Sequence, residues 1–563
     1  MYSSTISDPE KHVSSTEEII GGGFTAVCES RKGVQVVIDN DPFDLDFDDD
    51  SITTRSVMSK ASSQQLKRSL KARHLAMISL GGVIGQGLFL SSGANLNQAG
   101  PGGALIAYGL IGILVFWVAY SLGEMSTYIP VSGSFTIFCR RFVDHSFGTM
   151  IGYNYWACWS VVVASELVAV PIIMSFWTNA LPDWAWSGIS LVIVLLVNLL
   201  GARSYGETEY WFSLIKILAV IIFIIVGCLV SGGLIGDEVY GFKYWSDPGA
   251  FPNGAQGIVD SLILASFSMQ GTEIVGITAG EAGNPKKEVP RAIKNVFWRI
   301  IIFYIGAIFV MGMVIPYTDT STLSDFTTVS PFTIVFSKGN LDSVAHIMNA
   351  VILITVLSCA NSGLYVASRT LLALAQEDIA WRKLCYISER GVPVYALVCT
   401  SLVSLITFAT FFIPGRALFT VLTKLPGVAV LVTWTGICIA HFRFRRAFKL
   451  QGRDLKDLPM TVPMHPIGDI LDVFVCPIIA LFTGYKYFIP AQAVGIIGQY
   501  LGLILCLVGF IALKVFTKSK LIPLKEMDLD TGRSDISYDP QEASKLSGPW
   551  YARAWKRVVI ALT

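Results

Sequence analysis

About twelve stretches of roughly twenty apolar residues follow one another between Leu75 and Phe516, and this repetition limits the fold more than any single motif does. A bilayer core about 30 Å thick is crossed by about 20 apolar residues in a helix. In lipid the backbone must satisfy its own hydrogen bonds, so segments of this length cross as helices. Spans are predicted at about 75–98, 103–127, 147–177, 185–202, 210–233, 257–280, 296–316, 343–370, 393–413, 415–440, 468–489 and 492–516. The expected fold class is an all-α integral membrane protein with twelve transmembrane helices. An ordinary soluble surface is excluded by 53% hydrophobic against 15% charged residues. Residues 1–70 are expected to form a disordered cytosolic tail, 71–518 the membrane domain and 519–563 a cytosolic C-terminal tail.

Charge distribution orients the chain. Eighteen cations fall in or beside one set of loops: Arg140, Arg141, Arg203, Lys286, Lys287, Arg291, Lys294, Arg299, Arg369, Arg382, Lys383, Arg390, Arg443, Arg445, Arg446, Lys449, Arg453 and Lys456. The opposite set holds Lys243, Lys338 and Arg416, so the positive-inside rule predicts that both termini are cytosolic. The tail opens without a cleavable signal peptide, and its acidic stretch from Asp39 to Asp50 reads either as a solvated charge run or as a docking segment for trafficking or turnover machinery. A net charge of +1 leaves no footprint for nucleic acid. Ten cysteines scattered singly and six histidines outside any ligand motif predict no metal and no cofactor.

Two spans are interrupted by glycine. The first holds Gly81, Gly82, Gly85 and Gly87, and the sixth holds Gly271, Gly276 and Gly280. Broken helices five spans apart point to an inverted-repeat transporter whose site lies where both unwind, although small residues also serve close helix packing. An unwound first span frees the amides of Gly85, Gln86 and Gly87 for a carboxylate, beside Ile84, at the positive end of a half-helix. Freed carbonyls near Ser266, Phe267 and Ser268 in the sixth span suit an ammonium group. With Gln270, Thr272 and Glu273 they form the expected substrate-binding set for the zwitterionic head of an α-amino acid.

Ionisable residues within spans are costly and therefore functional candidates. Glu273, just after Gly271, is a candidate proton carrier or partner for a cation, or a structural hydrogen-bonding group. Lys216 is a candidate coupling group or a snorkelling side chain. Glu166, Ser362 and Lys424 are candidate pathway residues.

The chain from about Arg73 to Phe516 resembles the fungal amino-acid permeases of the amino-acid/polyamine/organocation superfamily. The matching motifs are RHLAMISLGGVIGQGLF at Arg73–Phe89, AGPGGALIAY at Ala99–Tyr108, SLGEMSTYIPVSGSFT at Ser121–Thr136 and GETEYWFSLIK at Gly206–Lys216. They continue with SMQGTEIVGITAGEAGNPKKEVPRAIKNVFWRI at Ser268–Ile300, ANSGLYVASRTLLALA at Ala360–Ala375 and RGVP at Arg390–Pro393. The resemblance implies a five-plus-five inverted repeat with helices 1 and 6 broken, and proton-coupled amino-acid symport at a plasma, endoplasmic-reticulum or vacuolar membrane. It also implies coupling roles for Glu273, Glu281 and Lys216, the last as the fifth-span lysine that replaces a sodium ion in proton-coupled relatives. Gln86 departs from the family's commoner threonine, and Lys424 from its commoner asparagine. The QGTE and AGE stretches resemble the basic-amino-acid branch, whereas a cation at 424 beside the path would favour neutral or acidic substrates. A non-transporting amino-acid sensor is the rival from another class.

Overall fold

The computed structural model describes residues 16–20, 23–29, 35–39, Met77, Gly81 and 84–533, apart from 132, 281–283, 320–328, 483, 490 and 492. The chain divides into two compact units, Met1–Ser63 and Gln64–Thr563.

In the first unit, β1 (Thr16–Ile20), β2 (Gly23–Glu29) and β3 (Gln35–Asp39) form an antiparallel sheet in the order β1-β2-β3. These segments depart from the unordered tail that composition predicts for 1–70. Their β-branched residues, among them Ile19, Ile20, Val36, Val37 and Ile38, carry strand propensity that a composition averaged over the tail hides. Pairing of Ile20 with Gly23 leaves a two-residue connection of hairpin length. Of the acidic stretch only Asp39 is described.

The second unit is built from helices: α1 (Gln86–Phe89), α2 (Ser91–Tyr128), α3 (Ser134–Phe142), α4 (His145–Met174), α5 (Asp183–Leu199), α6 (Ala202–Ser231), α7 (Gly254–Met269) and α8 (Ile274–Ala279). There follow α9 (Pro285–Trp298), α10 (Ala307–Val314), α11 (Pro331–Lys338), α12 (Asp342–Gln376), α13 (Val394–Ser404), α14 (Gly415–Leu450), α15 (Ile467–Phe482) and α16 (Ala493–Thr517). Among the described residues nine helices are long and apolar enough to cross a membrane. The expected fourth and eleventh spans fall on the shorter α5 and α15.

α2 covers the end of the first expected span and the whole of the second. It breaks at Gly100, where φ is 71° ahead of Pro101, and the amides of Gly102 and Gly103 turn to the carbonyl of Ala250 at 3.1 and 3.4 Å. α9 and α10 are joined by a π-helical segment, Arg299–Gly306, within the seventh span. α4 packs most extensively on α12, and α2 on α7, which places Trp159, Trp434, Tyr108, Tyr155 and Tyr304 fully inside. Outer faces are apolar, as lipid requires: on α16, Leu505 and Phe516 are exposed.

Part of the segment read as a C-terminal tail packs on the cation-rich side. The Ile522 amide donates to the Val143 carbonyl at 3.0 Å, Gln451 donates to the Met527 carbonyl at 2.8 Å, and Met527 and Leu529 are buried. Arg453 grips Asp530 through two nitrogens at 2.8 and 2.6 Å, while Arg141 donates to the Thr531 carbonyl at 2.6 Å.

Candidate substrate site

The first break lies at Ile84 and Gly85. Gly85 is extended (φ −132°, ψ −151°), and α1 begins at Gln86, so the leading amides of α1 have no acceptor within the helix. The Gln86 amide points to Glu166 Oε2 at 3.4 Å, and its side-chain Nε2 donates to Ser165 Oγ at 2.6 Å. Glycine is required by contact more than by torsion here. A Cβ on Gly87 would stand 2.6 Å from the Ser268 Cα, and one on Gly85 would stand 2.5 Å from Glu166 Oε1 and 2.6 Å from Cys359 Sγ.

The second break follows directly across this contact. α7 ends at Met269, Gln270 is extended (ψ 151°), and Gly271 takes φ 93°, a region open to glycine. α8 resumes at Ile274. Glu273 fills the interruption: its carboxylate accepts from the Gly271 amide at 3.1 Å, Tyr155 Oη at 3.2 Å, Thr272 Oγ1 at 3.3 Å and Trp434 Nε1 at 3.4 Å. Donors from the break itself, α4 and α14 therefore hold one carboxylate, which is fully buried.

Hydroxyl groups staple the two broken spans together. Ser268 Oγ lies 2.7 Å from the Gly87 carbonyl and 2.9 Å from Tyr108 Oη, and Asn95 Nδ2 donates to Tyr108 at 3.1 Å. Tyr304 Oη donates to the Ser268 carbonyl at 2.7 Å, so one of the expected free carbonyls already has a partner. Ser266 directs its hydroxyl to its own helix, at Leu262 O, 2.8 Å away. Between the breaks remains a cavity of about 10 Å³, lined by Gly85, Gly87, Glu166, Phe267, Ser268 and Gln270 with Trp159, Val162 and Cys359. That is room for about one water. Ile84, Gln86, Ser266, Thr272 and Glu273 flank it and do not line it.

Lys216 is buried and ion-paired with Glu209 at 3.4 Å, and Ser358 Oγ donates to both Glu209 oxygens at 2.9 and 2.8 Å. Glu209 escapes a reading that starts the fifth span at Tyr210, because α6 begins at Ala202 and draws it inside. Its signal in the sequence is the spacing from Lys216, seven residues or two turns on one helix face.

The remaining candidates lie elsewhere. Ser362 accepts from Tyr205 Oη at 3.2 Å, behind the stacked pair Tyr205–Tyr365. Lys424 is half-buried and donates to Tyr487 Oη at 3.4 Å in the connection between α15 and α16, and it does not line the cavity. Glu281 lies outside the described residues. Three cations counted as loop charges are interior: Arg299 within the seventh span, Arg369 over the Tyr365 ring at 3.4 Å, and Arg445 against Glu124.

Comparison with known proteins gives this geometry its context. The family model described as amino acid permease matches residues 74–524. The lysine-specific permease LysP of Lactococcus lactis is 44% identical over 83% of this chain and 93% of its own length. Its namesake in Escherichia coli is 42% identical over 82% and 96%. The lysine-specific permease of Saccharomyces cerevisiae is 39% identical over 84% and 80%. The motifs that resemble fungal permeases, the all-helical membrane fold with its two breaks, and a match spanning most of the chain agree: this protein belongs to the amino acid permease family.

Proposed function

We propose that this permease carries basic amino acids, lysine foremost, inward with protons across a plasma membrane, with both termini in the cytosol. The observation that carries the reading is the pair of buried carboxylates at the two breaks, Glu166 beside Gly85 and Glu273 beside Gly271. Glu209, a third enclosed acid, is already paired with Lys216. In a low-dielectric interior a carboxylate at a break favours a positive partner, and a cationic side chain or a proton supplies it. The α-carboxylate meets the leading amides of α1, and the ammonium group the end of α7. Lys216, set against Glu209, is the candidate coupling cation, with Glu273 and Glu281 as the candidate proton carriers. The names of the lysine and basic amino-acid relatives support the substrate class. The contact of Lys424 with Tyr487, outside the cavity lining, supports a cationic substrate.

Transport itself follows from alternate opening of the two sides around the breaks. A potential of about 100 mV contributes about 2.3 kcal/mol per charge. A lysine entering with one proton gains that twice, before any pH gradient. The test is uptake of labelled lysine by cells lacking their own permeases, with all amino acids as competitors and a protonophore as control. Competition by arginine, lysine or histidine and collapse on protonophore are expected. Uptake restricted to neutral amino acids, or dependent on sodium, would overturn the assignment.

A further inference from the structure

A second polar cluster lies away from the breaks, at the cation-rich ends of α2, α14 and α15. His441 on α14 directs Nδ1 to Asp469 of α15, 2.9 and 2.8 Å from its two oxygens. His465, just ahead of α15, directs its own Nδ1 to Asp469 Oδ2 at 2.8 Å. The two rings stand nearly perpendicular with centroids 5.4 Å apart, and one ligand atom from each of the three residues falls within 4.8 Å of the others. His441 is wholly buried, Asp469 nearly so, and His465 is partly exposed, which leaves a way in.

The surroundings orient these groups. Glu124 of α2 faces His441 Nε2 at 3.3 Å, and its charge is matched by Arg445, whose Nη2 donates to it at 2.7 Å. Nδ1 of His441 lies within hydrogen-bond distance of both Asp469 oxygens, so a bound metal ion takes the place of the proton shared between them. Ser121 Oγ donates to Asp469 Oδ1 at 2.8 Å and fixes that carboxylate. A buried histidine with a carboxylate 3.3 Å from its far nitrogen, facing a second histidine and a hydrogen-bonded carboxylate, offers a donor set of the kind that binds transition metals. Two imidazole nitrogens and one carboxylate suit zinc and its neighbours and discriminate against calcium and magnesium, which prefer all-oxygen shells. Three ligand atoms each about 2.0–2.1 Å from one ion stand about 3.3 Å apart. The two 2.8 Å separations from Asp469 Oδ2 need to widen by about half an ångström, and the two imidazole nitrogens, within 4.8 Å of each other, need to settle at the same spacing. One divalent cation brings the same positive charge that protonation of both imidazoles would bring.

We propose that His441, His465 and Asp469 form a transition-metal site of the zinc class, positioned by Glu124 and Ser121, that pins α14 to α15 and slows transport when occupied. The ligands are invisible to motif reading because His441 is separated from the His465/Asp469 pair by more than twenty residues of chain. The test uses the full chain purified without a polyhistidine tag, titrated with cobalt chloride by visible absorption and with zinc chloride by calorimetry, in the absence of any amino acid. One ion per chain is expected. His465→Ala should weaken zinc binding by about 100-fold, at least the loss that outer-shell substitutions produce. His346→Ala, remote beside Trp177, should leave it unchanged. In proteoliposomes zinc on the cation-rich side should inhibit lysine uptake by the wild type and not by His465→Ala. Absence of cobalt and zinc binding in a wild type that still transports lysine would overturn the site, as would equal zinc affinity in His465→Ala.

Discussion

Removing the charge from Glu209 isolates the energetics of the pair at the heart of the fifth span. At 3.4 Å the Coulomb attraction between Lys216 and Glu209 is about 5 kcal/mol at an effective dielectric near 20. Desolvation of two fully enclosed ions offsets most of it, so the pair itself adds little net stability. Breaking it is different, because the survivor stays buried without its counter-charge, at about 3–5 kcal/mol. Glu209→Gln keeps an oxygen for the Ser358 hydroxyl and removes only the charge. The nearby Glu166 carboxylate retains some hold on Lys216, which places the expected loss at the lower end, about 3 kcal/mol. Lys216→Met should cost about the same, leaving Glu209 exposed to the same penalty. The double variant Glu209→Gln/Lys216→Met should be more stable than either single one, with a coupling of about 3 kcal/mol. On a scale of about 1–2 °C per kcal/mol, below that of smaller domains, the singles lose about 3–6 °C in heat-inactivation midpoint in detergent. Losses that add in the double variant to within about 0.5 kcal/mol would refute the pairing.

Gly87→Ala should drive α1 from α7, since the new methyl meets the backbone of Ser268. An overpacking cost of about 1–3 kcal/mol predicts a roughly 10- to 100-fold loss of lysine uptake with membrane abundance retained, checked by initial rates against surface protein. Glu273→Gln places an amide against several donors. It should abolish concentrative uptake and lower the preference for lysine over neutral amino acids, measured by competition. Lys424→Asn should change that preference less than about twofold, because at about 1.4 kcal/mol per tenfold a cation bound to Tyr487 has little differential energy to lose. Attachment of the C-terminal segment should fail in Arg453→Ala, read by faster hydrogen exchange at residues 524–531. The hydrogen bond from Arg453 holds the Asp530 carboxyl below the usual carboxylate range. Wild-type attachment should therefore persist above that range and loosen only as pH falls through the depressed value.

The spans and both breaks are legible because each rests on a local signal: apolar length for the helices, glycine runs for the interruptions. Gly271 with φ 93° and Gly85 ahead of α1 stand where the glycine pattern puts them. Glu209 is missed through a boundary error of several residues at the start of α6, enough to move a buried carboxylate into a loop on paper. Arg299, Arg369 and Arg445 read as loop cations for the opposite reason, since nothing local distinguishes a flanking arginine from one drawn inside by a carboxylate or a ring. Tyr304 on the Ser268 carbonyl and Lys424 on Tyr487 are decided by contacts between distant spans, about which periodicity is silent. The strands at Thr16–Ile20, Gly23–Glu29 and Gln35–Asp39 show a local pattern overriding an averaged composition.

Docking of the last described residues on the cation-rich side has a consequence for synthesis. Arg141 and its acceptor Thr531 are 390 residues apart. At about 5–20 residues per second a ribosome needs roughly 20–80 s to deliver that acceptor after Arg141. Throughout that interval Arg141 lacks its final partner, and for the last 77 residues of chain before Asp530 so does Arg453. A message cut short by a late stop codon would leave a bundle with every span in place and this face permanently bare.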